Sequence, residues 1–182
     1  MDILVTKRLT LRSPLDVDAE AICAVMQNKN ITRMLTPVPN PYSLSDAQKW
    51  IDNASRNDAA YHFCIYREKL LGAVSVNPGV DGHFTLGYGL DESVWREGYM
   101  SEAARAAISH AFQKSGADEI YSGAYEDNPA SMAVLVKLGF EAAETKTHYN
   151  PTRKCHVTCN HVVLTRARFE SIFGSFEPSL AA

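Results

Sequence analysis

The stretch Trp95-Arg96-Glu97-Gly98-Tyr99-Met100-Ser101-Glu102-Ala103 decides how this chain is read. It leaves a strand-like segment at residues 84–90 and enters the strongest helix pattern of the sequence, residues 101–115. There Ala104, Ala107, Ile108, Ala111 and Phe112 recur on one face. A turn running from a strand straight into a helix leaves several backbone N–H groups without an intrahelical acceptor. They lie at the positive end of the helix dipole. A phosphate suits that place, so a phosphate-bearing cofactor is the first functional expectation. Glu102, an acid in the first turn, complements the dipole.

Downstream, Gly116 stands where a C-cap glycine belongs, and residues 119–125 read as a strand. Residues 129–138 read as a helix with Pro129 in its first turn and Gly139 closing it. Strands near 141–149 and 156–165 and a short helix over 167–173 follow. Upstream, strands at 61–66 and 71–77 are joined by the charged turn Arg67-Glu68-Lys69. Residues 6–12 alternate polar and apolar like one half-buried strand, and Val17, Ala21, Ile22 and Val25 mark a helix over 16–26. Pro37, Pro39 and Pro41 mark an irregular loop, after which Ser43 offers N-cap chemistry to a helix carrying Ala47, Trp50, Ile51 and Ala54. The order is strand, helix, helix, three strands, helix, strand, helix, strand, strand. It predicts the α/β class (an α+β mixed sheet) with helices on both faces. A single domain is expected over residues 1–174, with 175–182 as a flexible tail.

The 182 residues are 46% hydrophobic and 21% charged with a net charge of −3, an ordinary globular composition. The chain has no basic block, which argues against a nucleic-acid partner. It has no apolar run of the roughly 20 residues needed to span a bilayer, which argues against a membrane role. No charged-then-apolar leader is read at the N-terminus, so a cytoplasmic location with reduced cysteines is expected. Cys155, Cys159 and His161 share one face of a predicted strand. At ~3.3 Å per residue the two cysteines lie ~13 Å apart. That is too far to share one zinc at ~2.3 Å per ligand, so no metal is expected.

Four segments now resemble one family. They are Thr6-Lys7-Arg8-Leu9-Thr10-Leu11-Arg12, the run from Pro37-Val38-Pro39-Asn40-Pro41-Tyr42-Ser43 to Trp50-Ile51, Leu86-Gly87-Tyr88 with the turn to Glu102-Ala103, and Asn128-Pro129-Ala130-Ser131 with Lys137-Leu138-Gly139-Phe140. Together they are similar to the GNAT superfamily of N-acetyltransferases, and more narrowly to its ribosomal-protein N-terminal acetyltransferase (RimJ/RimL-like) branch. The resemblance spans about residues 4–165. It implies a GNAT-like fold, a mostly antiparallel sheet of about seven strands with helices on both faces, and acetyl-CoA as cosubstrate.

The resemblance also implies roles. Tyr88 and Leu90 on the strand, and Trp95, Arg96, Glu97, Gly98, Tyr99, Met100 and Ser101 in the turn, would bind the cofactor, the turn amides wrapping its pyrophosphate. Asn128 would meet the pantetheine arm, although Asn before Pro is also a good helix cap. The turn departs from the family pattern at Met100 and at Arg96, which stands where that branch has a glycine. Arg96 narrows the allowed backbone but sets a cation near the phosphates. Acyl transfer to an amine needs a neutral amine, an oxyanion donor and a stabilised leaving thiolate. Residues 87–91 would supply the donor, worth about 3–4 kcal/mol.

Many relatives use a Tyr on the helix after the next strand; here Leu135 stands there, and Ser131, one turn earlier, is the hydroxyl offered to the thiol. The strand Glu found in related enzymes is replaced by Thr85. His83 is a substitute base by period two, with Glu126 or Asp127 as others. Met34, Leu35, Tyr42 and Trp50 would lie over the acceptor channel, with packing preferred for Trp50; His148 and Tyr149 are weaker neighbours of it. The implied activity is N-acetyl transfer by direct ternary-complex attack. The acceptor is an amine on a protein N-terminus or a small molecule. A catalytically weak acyl-CoA-binding sensor or scaffold is the alternative, and a homodimer stays open.

Overall fold

A computed structural model describes residues 2–35, 38–79, 82–150 and 152–174, and the backbone of 179 and 180. The order begins β1 (Ile3–Val5), β2 (Thr10–Arg12), a 3-10 turn (Asp16–Asp18), α1 (Ala19–Met26), α2 (Lys29–Thr32) and α3 (Leu44–Arg56). The strands β3 (Tyr61–Tyr66), β4 (Leu70–Pro78) and β5 (Phe84–Leu90) follow, then α4 (Tyr99–Ser115), β6 (Glu119–Tyr125) and α5 (Pro129–Lys137). The chain closes with β7 (Glu141–Asn150), β8 (Cys155–Thr165), α6 (Arg166–Phe173) and β9 (Ser179–Leu180). One sheet runs β7-β8-β6-β5-β4-β3-β2-β1-β9. Its pairings are antiparallel except β5 against β6.

The expected mixed sheet with helices is therefore the architecture, with nine strands among the described residues in place of about seven. One extra strand arises because residues 6–12 do not run straight. The Thr6 N–H donates to the Leu9 carbonyl at 2.9 Å, folding the stretch into a turn that pairs β1 back onto β2. The other is β9, which pairs with β1 inside the segment expected to be a free tail; residues 175–178 and 181–182 lie outside the described residues. The helix expected from residue 16 begins as a 3-10 turn instead. There Asp18 is held by both terminal guanidinium nitrogens of Arg12 (2.7 and 2.8 Å), by the Leu15 N–H (2.8 Å) and by the Tyr66 hydroxyl. The helix α3 opens on Ser43 in a capping box with Asp46, as its sequence suggested.

Helices α4, α5 and α6 cover one face of the sheet, and α1 and α3 the other. The alanines 103, 104, 106, 107 and 111 of α4 are buried against β3, β4 and β5 with Ile108 and Phe112. Small side chains let this helix lie close on the sheet. Burying the two large ones contributes about 1.5–3 kcal/mol each. This fixes where α4 begins, over the end of β5.

The parallel pairing of β5 and β6 is short: only Phe84↔Ile120 and Thr85↔Tyr121 are in register. Beyond Thr85 the two strands part and open a cleft. In an antiparallel pair every second residue turns its N–H and C=O away from its partner. On β5 those residues are Leu86, Tyr88 and Leu90. The Leu86 carbonyl accepts from the Ser122 hydroxyl of β6 at 3.0 Å, and the Leu90 carbonyl accepts from the Trp95 indole at 2.8 Å. The N–H and C=O of Tyr88 and the N–H of Leu90 lie between these closures, facing the cleft.

Candidate active site

The turn between β5 and α4 is built on two left-handed residues. Gly98 has φ +78° and caps α4, and Arg96 has φ +67°. The second value explains the glycine preference at that position: the backbone there enters the region that L side chains avoid. The Arg96 side chain is exposed. The first three N–H groups of α4, on Tyr99, Met100 and Ser101, precede the first intrahelical donor, the Glu102 N–H that binds the Gly98 carbonyl at 3.2 Å. Tyr99 and Met100 are buried.

The β1–β2 turn anchors this helix end. Glu102 accepts from the Thr6 hydroxyl (2.7 Å), the Arg8 N–H (2.8 Å) and the Arg8 Nε (2.7 Å). Burial opposes its ionisation, but these donors outweigh it and hold the carboxyl below its usual range. Arg8 also donates to the Glu97 carbonyl at 2.9 Å and lies 4.5 Å over the Tyr99 ring. Arg67 donates to the Tyr99 hydroxyl at 2.9 Å. An open cavity of about 300 Å³ beside Tyr99 is lined by Arg67, Glu68, Lys69, Leu71 and Val94.

Across the cleft, Asn128 caps α5: its side-chain oxygen accepts from the Ser131 N–H at 3.1 Å. The Ser131 hydroxyl meets the Tyr88 hydroxyl at 2.8 Å, and the Tyr88 oxygen is 3.2 Å from the Ser131 carbonyl. Burial pushes the Tyr88 phenol up to about 12, with the Ser131 contact pulling the other way. The two hydroxyls thus join β5 to α5 where the strands have parted. Sequence reasoning named both residues without pairing them. The signal was available: Tyr88 alternates with buried Leu86 and Leu90 and so faces the α4 and α5 side.

On the other face, α2 spans the open end of the cleft. Glu92, just past β5, accepts from Asn28 (2.7 Å) and Asn30 (3.1 and 3.0 Å). Asp127, just past β6, accepts from Arg33 (3.3 Å) and from Arg153 of the β7–β8 turn (3.0 Å to each oxygen). Arg153 also reaches the Arg33 carbonyl at 2.6 Å and the Met34 sulfur at 3.1 Å, and lies 4.5 Å over Tyr125. A Cβ on Gly89 would point at Leu35 and Ile31, 3.6 and 3.7 Å away. The strap therefore sits over the glycine face of β5, tied to both arms of the cleft. Its outer edge borders an open cavity of about 380 Å³ lined by Lys29, Val38, Pro39, Asn40, Thr152 and Lys154.

Tyr88, Leu90, the 95–101 turn, Asn128 and Ser131 are thus gathered around one cleft. His83 is not brought to it. It precedes β5 at the closed end, against Tyr121 with ring centroids 5.0 Å apart. Tyr88 is five residues further on, ~16 Å at ~3.3 Å per residue. Asp127 is committed to the two arginines, while Glu126 is exposed and forms no side-chain bond among the described residues. Tyr42 is core, packed with Ala19, Ile22 and Ile51 of α1 and α3, and Trp50 packs edge-on against His62. Tyr149 is exposed, and His148 stands 6.1 Å from the Tyr125 ring. The strap α2 was missed by sequence reasoning, because four residues are too few to show a period. Cys155 and Cys159 lie on β8, the first exposed and the second buried.

Comparison with known proteins bears on the fold and the family. A family profile described as an acetyltransferase (GNAT) domain matches residues 8–141. The uncharacterized N-acetyltransferase YoaA of Bacillus subtilis (strain 168) is 31% identical over 147 residues, covering 76% of this chain and 82% of that protein. Among solved structures, the ribosomal L7/L12 alpha-N-protein acetyltransferase RimL, in complex with coenzyme A, superposes with a TM-score of 0.79 at 22% identity. That match covers 90% of this chain and 98% of the other. The spermidine N-acetyltransferase of Vibrio cholerae, in complex with coenzyme A and spermine, gives 0.78 at 15% identity over 90% and 99% of the two chains.

Proposed function

The chain belongs to the acetyltransferase (GNAT) family, whose enzymes use acetyl-CoA, and from that premise we propose that it acetylates a primary amine by direct attack in a ternary complex. The observation that carries this reading is the cleft between β5 and β6. It has backbone donors turned into it from β5, a hydroxyl pair that reaches from Tyr88 of β5 to Ser131 of α5, and a phosphate-type turn at its end.

The residues fit the cosubstrate. The pyrophosphate suits the N–H groups of residues 96–101, with the exposed Arg96 guanidinium adding a cation to them. The pantetheine arm suits the strand edge at the N–H and C=O of Tyr88 and the N–H of Leu90, which face the cleft; the Leu90 carbonyl is taken by the Trp95 indole. Bound there, acetyl-CoA supplies an activated acetyl thioester. The Leu90 N–H is the oxyanion donor, aimed into the cleft from a fixed strand where it needs no reorganisation. The Ser131 O–H donates to the departing sulfur, and Asn128 fixes the backbone from which it does so. The acceptor enters under the α2 strap, past Gly89, Ile31 and Leu35. A protein N-terminus is the favoured acceptor on chemical grounds. An α-amine near pKa 7.7–8.0 is about a tenth neutral at pH 7, whereas a lysine-type amine near 10.4 is almost wholly charged. Among the described residues Glu126, exposed just past the end of β6, is the carboxylate left open to serve as a base.

Initial rates measured over a grid of acetyl-CoA and amine concentrations test the mechanism. Intersecting reciprocal plots are expected for a ternary complex. Parallel plots would indicate an acetyl-enzyme and overturn it.

A further inference from the structure

We infer that Tyr88 is a positioning residue for this transfer: its phenol, set against both oxygens of Ser131, holds the Ser131 hydroxyl hydrogen available to the leaving sulfur. The inference rests on the assignment of Ser131 as the sulfur's hydrogen-bond donor.

A phenol has one hydrogen to give and a serine hydroxyl has one. The Tyr88 oxygen lies 2.8 Å from Ser131 Oγ and 3.2 Å from the Ser131 carbonyl, so its hydrogen has two acceptors in reach. With the cleft at rest, Ser131 donates to Tyr88 and Tyr88 donates to the carbonyl. When charge gathers on the sulfur, Ser131 turns its hydrogen toward it and Tyr88 donates to Oγ. Only two O–H bonds rotate, and no heavy atom moves. The second arrangement also strengthens the serine as a donor, because chained hydrogen bonds polarise one another. The chemistry balances without a proton from Tyr88. The amine nitrogen bonds to the acetyl carbon and loses its proton to solvent. The C–S bond breaks with its electron pair on sulfur, and the thiolate leaves with the serine hydrogen bond.

Two features make Tyr88 suited to this. It reaches across the gap where β5 and β6 have parted, directly to the helix that carries Ser131. Burial keeps its phenol protonated, raised to about 12, so it remains a donor at every working pH. A hydroxyl pair that only tethered β5 to α5 would show in stability and in both KM values rather than in kcat alone.

The test is a double-mutant cycle on the full chain with acetyl-CoA and a reactive amine. Tyr88→Phe keeps the ring and removes the hydroxyl. It is expected to lower kcat about tenfold and to leave both KM values within about twofold. Ser131→Ala is expected to lower kcat about 100-fold. The double variant is expected to match Ser131→Ala, since Tyr88 acts only through that serine. An unchanged kcat in Tyr88→Phe, or losses that multiply in the double variant, would overturn the inference while leaving Ser131 in place. An unchanged kcat in Ser131→Ala would overturn the underlying assignment and the inference with it. Should Tyr88→Phe fail to fold, fluorotyrosine placed at position 88 keeps the shape and sharpens the donor. A kcat shift at constant KM is then expected, and no shift overturns the inference.

Discussion

Replacing Arg96 with glycine separates two jobs that this position performs. Its φ of +67° lies where a Cβ crowds the following carbonyl, a conformation costing about 1–2 kcal/mol for an L residue. Glycine removes that cost but loosens the unfolded chain, which returns about 0.4–1 kcal/mol. The arginine side chain is exposed and forms no ion pair among the described residues, so its loss takes nothing from the free protein. The net expectation is a gain of about 0.5–1 kcal/mol, which for a chain of this size raises Tm by about 1–4 °C. Acetyl-CoA affinity should move the other way. A solvent-exposed guanidinium contact to phosphate is worth up to about 1 kcal/mol, so Kd rises by a factor of about 5. Arg96→Lys keeps the charge and the strain, so it should melt with the parent and bind within about twofold of it. Arg96→Asn, which tolerates left-handed backbone, should melt above the parent yet bind weakly. Thermal melts without ligand and calorimetric titrations at low and high salt read the two effects apart. A glycine variant that melts below the parent would refute the backbone argument. One with an unchanged Kd would refute the phosphate contact.

Two further outcomes follow from the strap and from the buried histidines. Asp127→Ala unties α2 from the β6 side and leaves the largely buried Arg153 without its carboxylate. The amine KM should rise about tenfold, with the acetyl-CoA KM unchanged and a stability loss of only about 0.5–1 kcal/mol, because Asp127 is half exposed. Equal effects on both KM values in two-substrate kinetics would show that the strap does not shape the acceptor side. His110, buried edge-on to Tyr61 and Phe63, has its pKa lowered by burial, with Asp2 opposing and Lys114 assisting; burial lowers His62 as well. The unfolded chain therefore takes protons that the folded one refuses. Stability is complete above about pH 6.5 and declines as the pH falls toward 5. His110→Gln should remove part of that slope, His62 retaining the rest. Melting curves between pH 7.5 and 5 check it, an unchanged slope counting against the argument.

Local signals made much of this fold legible. The segments β3, β5, α4, β6 and α5 are bounded by caps, glycines and charged turns, and their limits were predicted to within about two residues; the start of α3 was marked by its Ser43 cap. What escaped depends on distant partners. Residues 6–12 break into a turn because Thr6 and Arg8 bind Glu102, nearly a hundred positions away. The site divides in the same way. The turn, Asn128 and Ser131 carry motif chemistry and fell together in the structure. His83 satisfied a period-two argument along β5, but the parallel register at Phe84 and Thr85 sets it at the closed end of the cleft. No one-dimensional pattern encodes where two strands part. The partnership of Tyr88 with Ser131 and the double tie of α2 are consequences of that parting.

The central claim is amine-dependent acetyl transfer, and thiol release from acetyl-CoA across a panel of amines tests it most directly. The panel holds peptides with free N-termini, polyamines and amino acids, with product masses read alongside. The account predicts CoA release that depends on the amine and is fastest for free peptide N-termini, with one acetyl group gained per CoA released. Acetyl-CoA binding without release to any amine would contradict it and leave a module that holds the cosubstrate without transferring its acetyl group.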